Sequence, residues 1–371
     1  MQIKNFNLDI NKLSPKNILV VSLPSIGDAL LSSPLIANLK LNFPNAKIDL
    51  LVRSGSGLIS QYDKNINKII EFKNKNKVLD YISMVKKIFR KYDLALSTST
   101  ADRATLCCLY AAPFRVGLIL PKKHNENWWK TKVLQGYCEV DFSLHTILQN
   151  LRLLDVLGLK KHKESITIDL IKKNTSNQNS HILIDNYYVV LHCISSSSKK
   201  DWEIENWLKI IDYLDSLNFK IVLTGGSTLK EFEFVKNIES RTNLKLINMV
   251  GKLDFYNVSE ILKKATLFIG VDTCTTHLAS LIGTPVIALF GESNVEKWAP
   301  WPRNFFEEKL FLGNTFFENK SNVYLINGKY LPKLYSPTFT KRIKPELVIE
   351  TINQVFSKTI SKNNNIPATE S

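Results

Sequence analysis

The sequence predicts an α/β protein built from two doubly wound units, and three observations carry the prediction. Apolar, β-branched runs alternate with longer amphipathic stretches, the pattern of βαβ units and parallel sheets. The alternation begins again at residue 187, and 371 residues suit two domains of roughly 100–200 residues better than one small core. Between the two series, residues 171–186 (IKKNTSNQNSHILIDN) are polar and irregular, as a linker would be.

In the first half NILVVSL (17–23), KIDLLVR (47–53), NKIIEF (67–72) and DLALSTS (93–99) read as strands. Leu30, Leu31, Leu35, Leu39 and Phe43 recur near the helical period, so residues 29–42 read as a helix packed on the sheet. The second half supplies YYVVLHC (187–193), KIVLTGG (220–226), KLINMVG (245–251), ATLFIGVD (265–272) and PVIALFG (285–291) as buried strands. Helices are expected over 203–217, 229–240, 256–264 and 275–282, the last stopped by Gly283 and Pro285. A closing helix near 344–357 precedes a polar stretch, SKTISKNNNIPATES, expected to be disordered. The resulting division is residues 1–180, 181–343, a helix at 344–358 and a tail at 359–371. Residues 303–343 carry no deciding pattern.

Hydrophobic content of 44% and charge of 22% are those of a globular chain with a packed core. The first residues, MQIKNFNLDINKLSPKN, lack a signal-peptide apolar run, and no segment reaches the roughly eighteen apolar residues of a membrane span, so a cytoplasmic location is expected. Five cysteines, with Cys107 and Cys108 adjacent, build neither a disulfide framework nor a zinc spacing, and reduced thiols are the simple reading. The net charge of +15 favours nucleic acid, an anionic membrane face or phosphorylated substrates, unless it reflects only a bias towards Lys across the genome.

Four segments carry chemistry. After the first strand comes PSIGDALLSSP (24–34), in which Ser25 and Gly27 permit a tight turn and Asp28 lies where a helix begins. Asp28 there is either a helix N-cap or a base that accepts a proton from a hydroxyl nucleophile. The turn lacks the G-x-G-x-x-G glycines, which disfavours a nicotinamide dehydrogenase. After strand 187–193, ISSSSKKDWEIENW (194–207) offers Ser195, Ser196 and Lys200 to phosphate oxygens, or is a solvated loop capping the next helix. Trp202 and Trp207 read as packing anchors of that loop.

The third segment, GVDTCTTHLASLIGTPVIALFG (270–291), has a strand ending in Asp272, a Thr-rich turn and a helix starting near Thr275. Its helix start would offer N–H groups to a diphosphate, with hydroxyls from Thr273, Thr275 and Thr276; otherwise these are caps around a core His277. The fourth, LTGGSTLKE (223–231), places Gly225 and Gly226 at a strand end, where backbone can approach a ligand or simply turn. Nucleic-acid binding has only the charge and the interleaved KKHNENWWKTK (122–132) in its favour, with no recognised motif beside them.

Together these segments resemble glycosyltransferase family 9, the ADP-heptose:lipopolysaccharide heptosyltransferases. The resemblance runs through ILVVSLPSIGDALLSSPLIANLKLNFPNAKIDLLV (18–52), FRVGL (114–118), HTILQNLRLLDVLGL (145–159) and VGKLDFYNVSEILKKATLFIGVDTCTTHLASLIGTPVIALFGES (250–293). It implies a GT-B fold, two Rossmann-like domains facing across a cleft, the first holding the acceptor and the second the nucleotide sugar. It implies Asp28 as general base, Lys200 on donor phosphate beside the loop hydroxyls of Ser195 and Ser196 already singled out, Asp272 on the donor sugar, and Thr273, Cys274 and Thr275 around the diphosphate. Gly225, Gly226 and His277 become candidate nucleotide contacts. The implied reaction transfers a sugar with inversion, a heptose from ADP-heptose, onto a phosphorylated lipopolysaccharide or lipooligosaccharide core. No metal or other cofactor is implied, nor a nucleic-acid partner, and the excess positive charge becomes a weak tether to the cytoplasmic face of the inner membrane. Two departures stand out: Cys274 replaces the usual Gly after D-T, and Ser227, Thr228 and Leu229 follow T-G-G where an acidic residue is common. They leave open a different nucleotide sugar, or a GT-B relative that binds a glycan or partner without catalysis.

Overall fold

A computed structural model describes residues 3–5, 14–73, 77–121, 127–161, 170–171, 187–301, 322–330 and 340–363. The chain forms two compact units, Met1–Ser176 with Glu296–Trp298, and Asn177–Val295 with Ala299–Ser371. Of the expected linker only Ile171 is among the described residues, as are only parts of 303–343.

In the first unit the strands are β1 (Ile3–Lys4), β2 (Asn17–Ser22), β3 (Lys47–Arg53), β4 (Lys68–Phe72), β5 (Leu94–Ser97), β6 (Phe114–Ile119) and β7 (Gly136–Glu139). The helices are α1 (Ile26–Leu31), α2 (Ser33–Asn42), α3 (Lys77–Ile88), α4 (Asp102–Ala111), α5 (Lys130–Val133) and α6 (Thr146–Leu157). Among the described residues the sheet order is β1-β7-β6-β5-β2-β3-β4, parallel except where β1 runs antiparallel to β7. Ile18, Leu19, Val20 and Val21 are wholly buried, which is why β2 reads as an unbroken apolar run rather than an alternating one. From β2 the chain winds to β3 and β4 on one side, then returns to β5 on the other. The loop after β2 therefore sits at the reversal of strand order, where doubly wound sheets bind ligands.

The helix expected over 29–42 is two helices. The Ser32 amide and hydroxyl both donate to Ala29 O, at 3.2 and 2.6 Å, which ends α1. Pro34 has no N–H to continue the ladder, but fits the first turn of α2. The sequence reading also passed over β6 and β7: FRVGLI carries Arg and Gly inside the run, and GYCE is too short to show a period.

The second unit holds β8 (Tyr188–His192), β9 (Lys220–Leu223), β10 (Ile247–Asn248), β11 (Leu267–Val271), β12 (Val286–Phe290) and β13 (Val323–Asn327). Its helices are α7 (Ile204–Ser216), α8 (Leu229–Ser240), α9 (Phe255–Lys264), α10 (Cys274–Ile282) and α12 (Pro345–Asn363), while α11 (Val295–Trp298) starts here at Val295 and has its other residues, Glu296–Trp298, in the first unit. Among the described residues the sheet is parallel in the order β10-β9-β8-β11-β12-β13, and its reversal lies between β8 and β11. The loops bearing Ser195–Lys200 and Asp272–Thr275 follow those two strands.

On α7, Trp207, Ile210, Ile211 and Leu214 recur at i, i+3, i+4 and i+7 and are buried. Trp202 and Trp207 meet edge to face at 5.1 Å, and Trp202 Nε1 donates to Ile343 O at 2.9 Å, so both anchor by packing as expected. Truncating Trp207 to Ala would remove about 3–5 kcal/mol.

The strand expected over 245–251 pairs only at Ile247–Asn248, because the Asn248 side chain accepts the Val250 amide at 3.0 Å and Gly251 turns left-handed at φ 69°. The closing helix is longer than expected: α12 reaches Asn363, so the segment from Ser357 is not a disordered tail from its start. Val348, Ile352 and Val355 seat it in the core, Phe356 stacks on Phe219 at 4.8 Å, and no Gly or Pro interrupts the chain before Pro367. Residues 364–371 lie outside the described residues. Of the 122–132 segment, Lys130 is buried, its ammonium 2.8 Å from Asp102 and 2.6 Å from Thr100 O, so this lysine is a structural cation rather than a nucleic-acid contact.

Candidate active site

In the first unit the loop after β2 enters α1 through Ser25, whose backbone is extended (φ −146°, ψ 174°) and whose hydroxyl accepts the Asp28 amide at 3.3 Å. Ser25 is thus the N-cap, and Asp28 stands at the third helical position rather than at the cap. Gly27 is an ordinary helical residue rather than the hinge of a tight turn, since it has no positive φ. The Ser25 hydroxyl donates to Asp28 Oδ2 at 2.6 Å, which holds the carboxylate at the carboxyl end of β2. Burial pushes the Asp28 carboxyl above its ordinary value, while the Ser25 hydroxyl and the charge of Lys297 pull it back. Lys297 is one of the α11 residues grouped with the first unit, and the Thr146 hydroxyl donates to its carbonyl at 3.0 Å. A carboxylate so destabilised as an anion is a stronger base than one in water.

In the second unit the loop after β8 turns back on itself. Asp201 Oδ1 accepts the Ser195 amide at 2.8 Å and its hydroxyl at 3.0 Å, and Lys230 Nζ bridges Asp201 Oδ2 at 2.6 Å and Ser195 O at 3.1 Å. The buried Ser195 hydroxyl therefore serves the loop itself, whereas Ser196 is exposed. Lys200 ends this loop with Nζ 2.7 Å from Asp272 Oδ2. Asp272 is only 7% exposed and Lys200 36%, so the pair is a partly buried ion pair with its cation at the open side. Ser293, in the loop after β12, also donates to Asp272 Oδ2.

Helix α10 starts one residue earlier than expected. Thr273 is its N-cap, accepting the Thr276 amide, and Gly283 closes it at φ 96°. Thr276 is wholly buried and its hydroxyl donates to Val271 O at 2.5 Å, so it supplies no hydroxyl to a ligand. Cys274 and Thr275 occupy the first turn. Burial pushes the Cys274 thiol up to about 11, against hydrogen bonding from Thr275, which keeps it uncharged at neutral pH. His277 Nε2 lies 3.9 Å from Asp272 Oδ1, and burial lowers its pKa against the pull of Asp272, with Lys200 lowering it further. Its ring is a neutral neighbour of the ion pair.

Gly225 and Gly226 follow β9, but the room at Gly226 is already used. Glu231 Oε1 accepts the Gly226 amide at 2.7 Å, and a Cβ at Gly226 would come within 2.8 Å of that carboxylate. Glu231 also closes a capping box with Thr228. Glu231, in the first turn of α8, thus sets a carboxylate against the T-G-G turn.

The fold brings Lys200, Asp272, Thr273, Cys274, Thr275 and His277 together at the reversal of the second sheet, and sets Asp28 at that of the first. The sequence reading missed Ser293, Asp201, Lys230 and Glu231. Thr228 followed three residues later by Glu231 is a capping signature that was legible; Ser293 and Lys230 reach their partners from segments distant in sequence, and Asp201 folds its own loop back onto Ser195, none of which leaves a periodic trace. Among the described residues no group of three His, Cys, Asp or Glu side chains is gathered as a metal site.

The model of glycosyltransferase family 9 (heptosyltransferase) matches residues 81–307. The chain belongs to that family. The matched span holds the second, third and fourth segments, and Asp28 precedes it. Among curated family 9 relatives, lipopolysaccharide heptosyltransferase 3 of Escherichia coli (strain K12) is 27% identical over 293 residues, covering 76% of this chain and 84% of its own. Lipopolysaccharide core heptosyltransferase OpsX of Haemophilus influenzae is 22% identical over 291 residues, 78% of this chain and 82% of its own. A solved family 9 glycosyltransferase from Veillonella parvula superposes with a TM-score of 0.74 at 19% identity, over 92% of this chain and 97% of that one. The E. coli heptosyltransferase WaaC with ADP gives 0.69 at 15% identity, over 91% and 99%. The fold class is GT-B, and the family 9 chain is a glycosyltransferase.

Proposed function

We propose that the protein transfers a heptose from ADP-heptose to a phosphorylated lipopolysaccharide or lipooligosaccharide core, with inversion at the anomeric carbon. The names of its relatives support the substrate classes, and the chemistry of the two loop clusters supports the division of labour. The first unit would hold the acceptor. Asp28 accepts the proton of the attacking hydroxyl as that oxygen bonds to the anomeric carbon. The bond from that carbon to the diphosphate oxygen breaks, and its electron pair leaves with ADP. A single displacement of this kind inverts configuration.

The second unit would hold the donor. Lys200 and the first turn of α10 meet the negative charge that grows on the departing diphosphate, and fixed donors of this kind act without reorganising during the reaction. Asp272, oriented by Lys200 and Ser293, accepts from sugar hydroxyls. The observation that carries the reading is the 2.7 Å pair of Lys200 and Asp272 at the reversal of the second sheet, a preset site for a group bearing both phosphate and hydroxyls. A location on the cytoplasmic face of the inner membrane follows from such an acceptor.

Calorimetry with ADP, UDP and GDP, followed by transfer from the matching heptose donor to a delipidated, phosphorylated core oligosaccharide, tests the reading. Heat with ADP and a single heptose added support it. Preference for another nucleotide would replace the donor, and no heat with any of them would leave a binding protein without catalysis.

A further inference from the structure

Helix α3 presents an apolar face to the outside. Val78 is 66% exposed, Leu79 63%, Ile82 45% and Phe89, just past the helix end, 50%. Val78, Ile82 and Phe89 fall on one line at i, i+4 and i+11, with Leu79 flanking it. The helix is already held by its other face, where Met84 and Ile88 are buried and Tyr81 meets Phe72 and Tyr110 edge on at 6.5 and 6.3 Å. Four large apolar side chains gathered on one outward face exceed the scattered exposure of an ordinary surface.

Their surroundings are basic. Lys73, Lys86, Lys87, Arg90 and Lys91 are all exposed, and the Arg90 guanidinium lies over the Phe89 ring at 5.4 Å. Lys86 falls between Ile82 and Leu79 around the helix. A second copy of this chain on the same face would set these cations against their own counterparts, so the charge favours an acidic partner. Since β4 feeds α3 in a parallel sheet, the first turn of α3, with Val78 and Leu79, lies at the carboxyl end of the strands, the end that also carries Asp28.

We propose that this face of α3 seats the protein on an anionic lipid surface, with Leu79, Ile82 and Phe89 at the headgroup–acyl boundary and Lys86, Lys87 and Arg90 on acidic headgroups. The inference rests on reading the acceptor as lipid-borne, and it brings the Asp28 end of the first sheet to the layer in which that acceptor is anchored.

Co-sedimentation of the full chain with vesicles of phosphatidylethanolamine and phosphatidylglycerol, against vesicles of phosphatidylcholine alone, tests it. Binding to the anionic vesicles should exceed binding to the neutral ones. Leu79→Ser with Phe89→Ser should weaken it by about tenfold or more, and Lys86→Gln with Lys87→Gln by up to about twenty-five-fold at low salt, at about fivefold per basic side chain. Transfer to the delipidated acceptor should be unchanged in every variant. Wild-type protein left in the supernatant with anionic vesicles, or variants that sediment like wild type, would overturn the proposal. So would light scattering that shows Leu79→Ser/Phe89→Ser turning an oligomer into a monomer, since the face would then be a self-interface. Absence of transfer by the wild type would remove the proposed function and leave the vesicle result to stand or fall separately.

Discussion

Lys200 and Asp272 lie in loops that follow different strands, β8 and β11, yet their charged ends are 2.7 Å apart, with the Asp272 side chain 7% exposed and that of Lys200 36%. Each side chain fixes the other before any ligand arrives. Lys200→Met should weaken ADP binding by roughly tenfold to a hundredfold, the loss of a charge-assisted hydrogen bond of about 1.5–3 kcal/mol. It should also lower stability, because Asp272 is left in a nearly dry position without its paired cation. A thermal double-mutant cycle with Asp272→Asn should give a coupling of about 1–3 kcal/mol; additive effects would mean that the two side chains do not sense each other.

Lys230 touches the same loop from behind. It ties Asp201 and Ser195 O together at 2.6 and 3.1 Å, and the loop between them ends in Lys200. Lys230→Met should raise the donor KM by about threefold to tenfold with kcat little changed, the sign of a loosened binding loop. Lys230→Arg should recover most of the loss. A fall in kcat with unchanged KM would contradict this positioning role.

Asp28 should make the protein less stable at neutral pH than it could be. Burial raises its folded pKa, so the folded state takes up the proton more readily than the unfolded chain. The stability linked to that proton is complete below the ordinary carboxylate pKa and is lost as pH rises through the raised one. Asp28→Asn should therefore raise Tm at pH 7, and the gain should shrink as the pH is lowered through the carboxylate range. A loss of Tm at pH 7 would mean that the Ser25 hydrogen bond and Lys297 outweigh burial.

Cys274, with its thiol pushed up to about 11, is a neutral side chain in the first turn of α10. Iodoacetamide at pH 7.5 should label it slowly, as followed by mass spectrometry, and Cys274→Ala should keep transfer within about threefold. Rapid labelling, or a lost activity restored only by a thiol, would make the sulfur part of the chemistry.

Much of this arrangement was legible in the chain, but not all of it. Fully buried parallel strands such as β8 and β11 announce themselves as apolar runs, and the loops that follow them carry the residues singled out for the site. What escaped was tertiary. That Ser25 caps α1 and Asp28 sits at its third position depends on where the first turn closes, and the local pattern fits either register. Ser293 gives no periodic signal, since its partner Asp272 is reached only when β12 lies beside β11. The division of residues 29–42 into two helices was written in Pro34 and outweighed by the leucine spacing around it.

The most direct test is the transfer rate of Asp28→Asn measured beside its affinity for ADP. The substitution keeps the size of the side chain and an oxygen for the Ser25 hydroxyl, but removes the base. The account predicts a fall in kcat of about 10²–10⁴-fold with ADP binding within about twofold of wild type. Turnover near the wild-type rate would show that another group takes the acceptor proton and would contradict the central assignment.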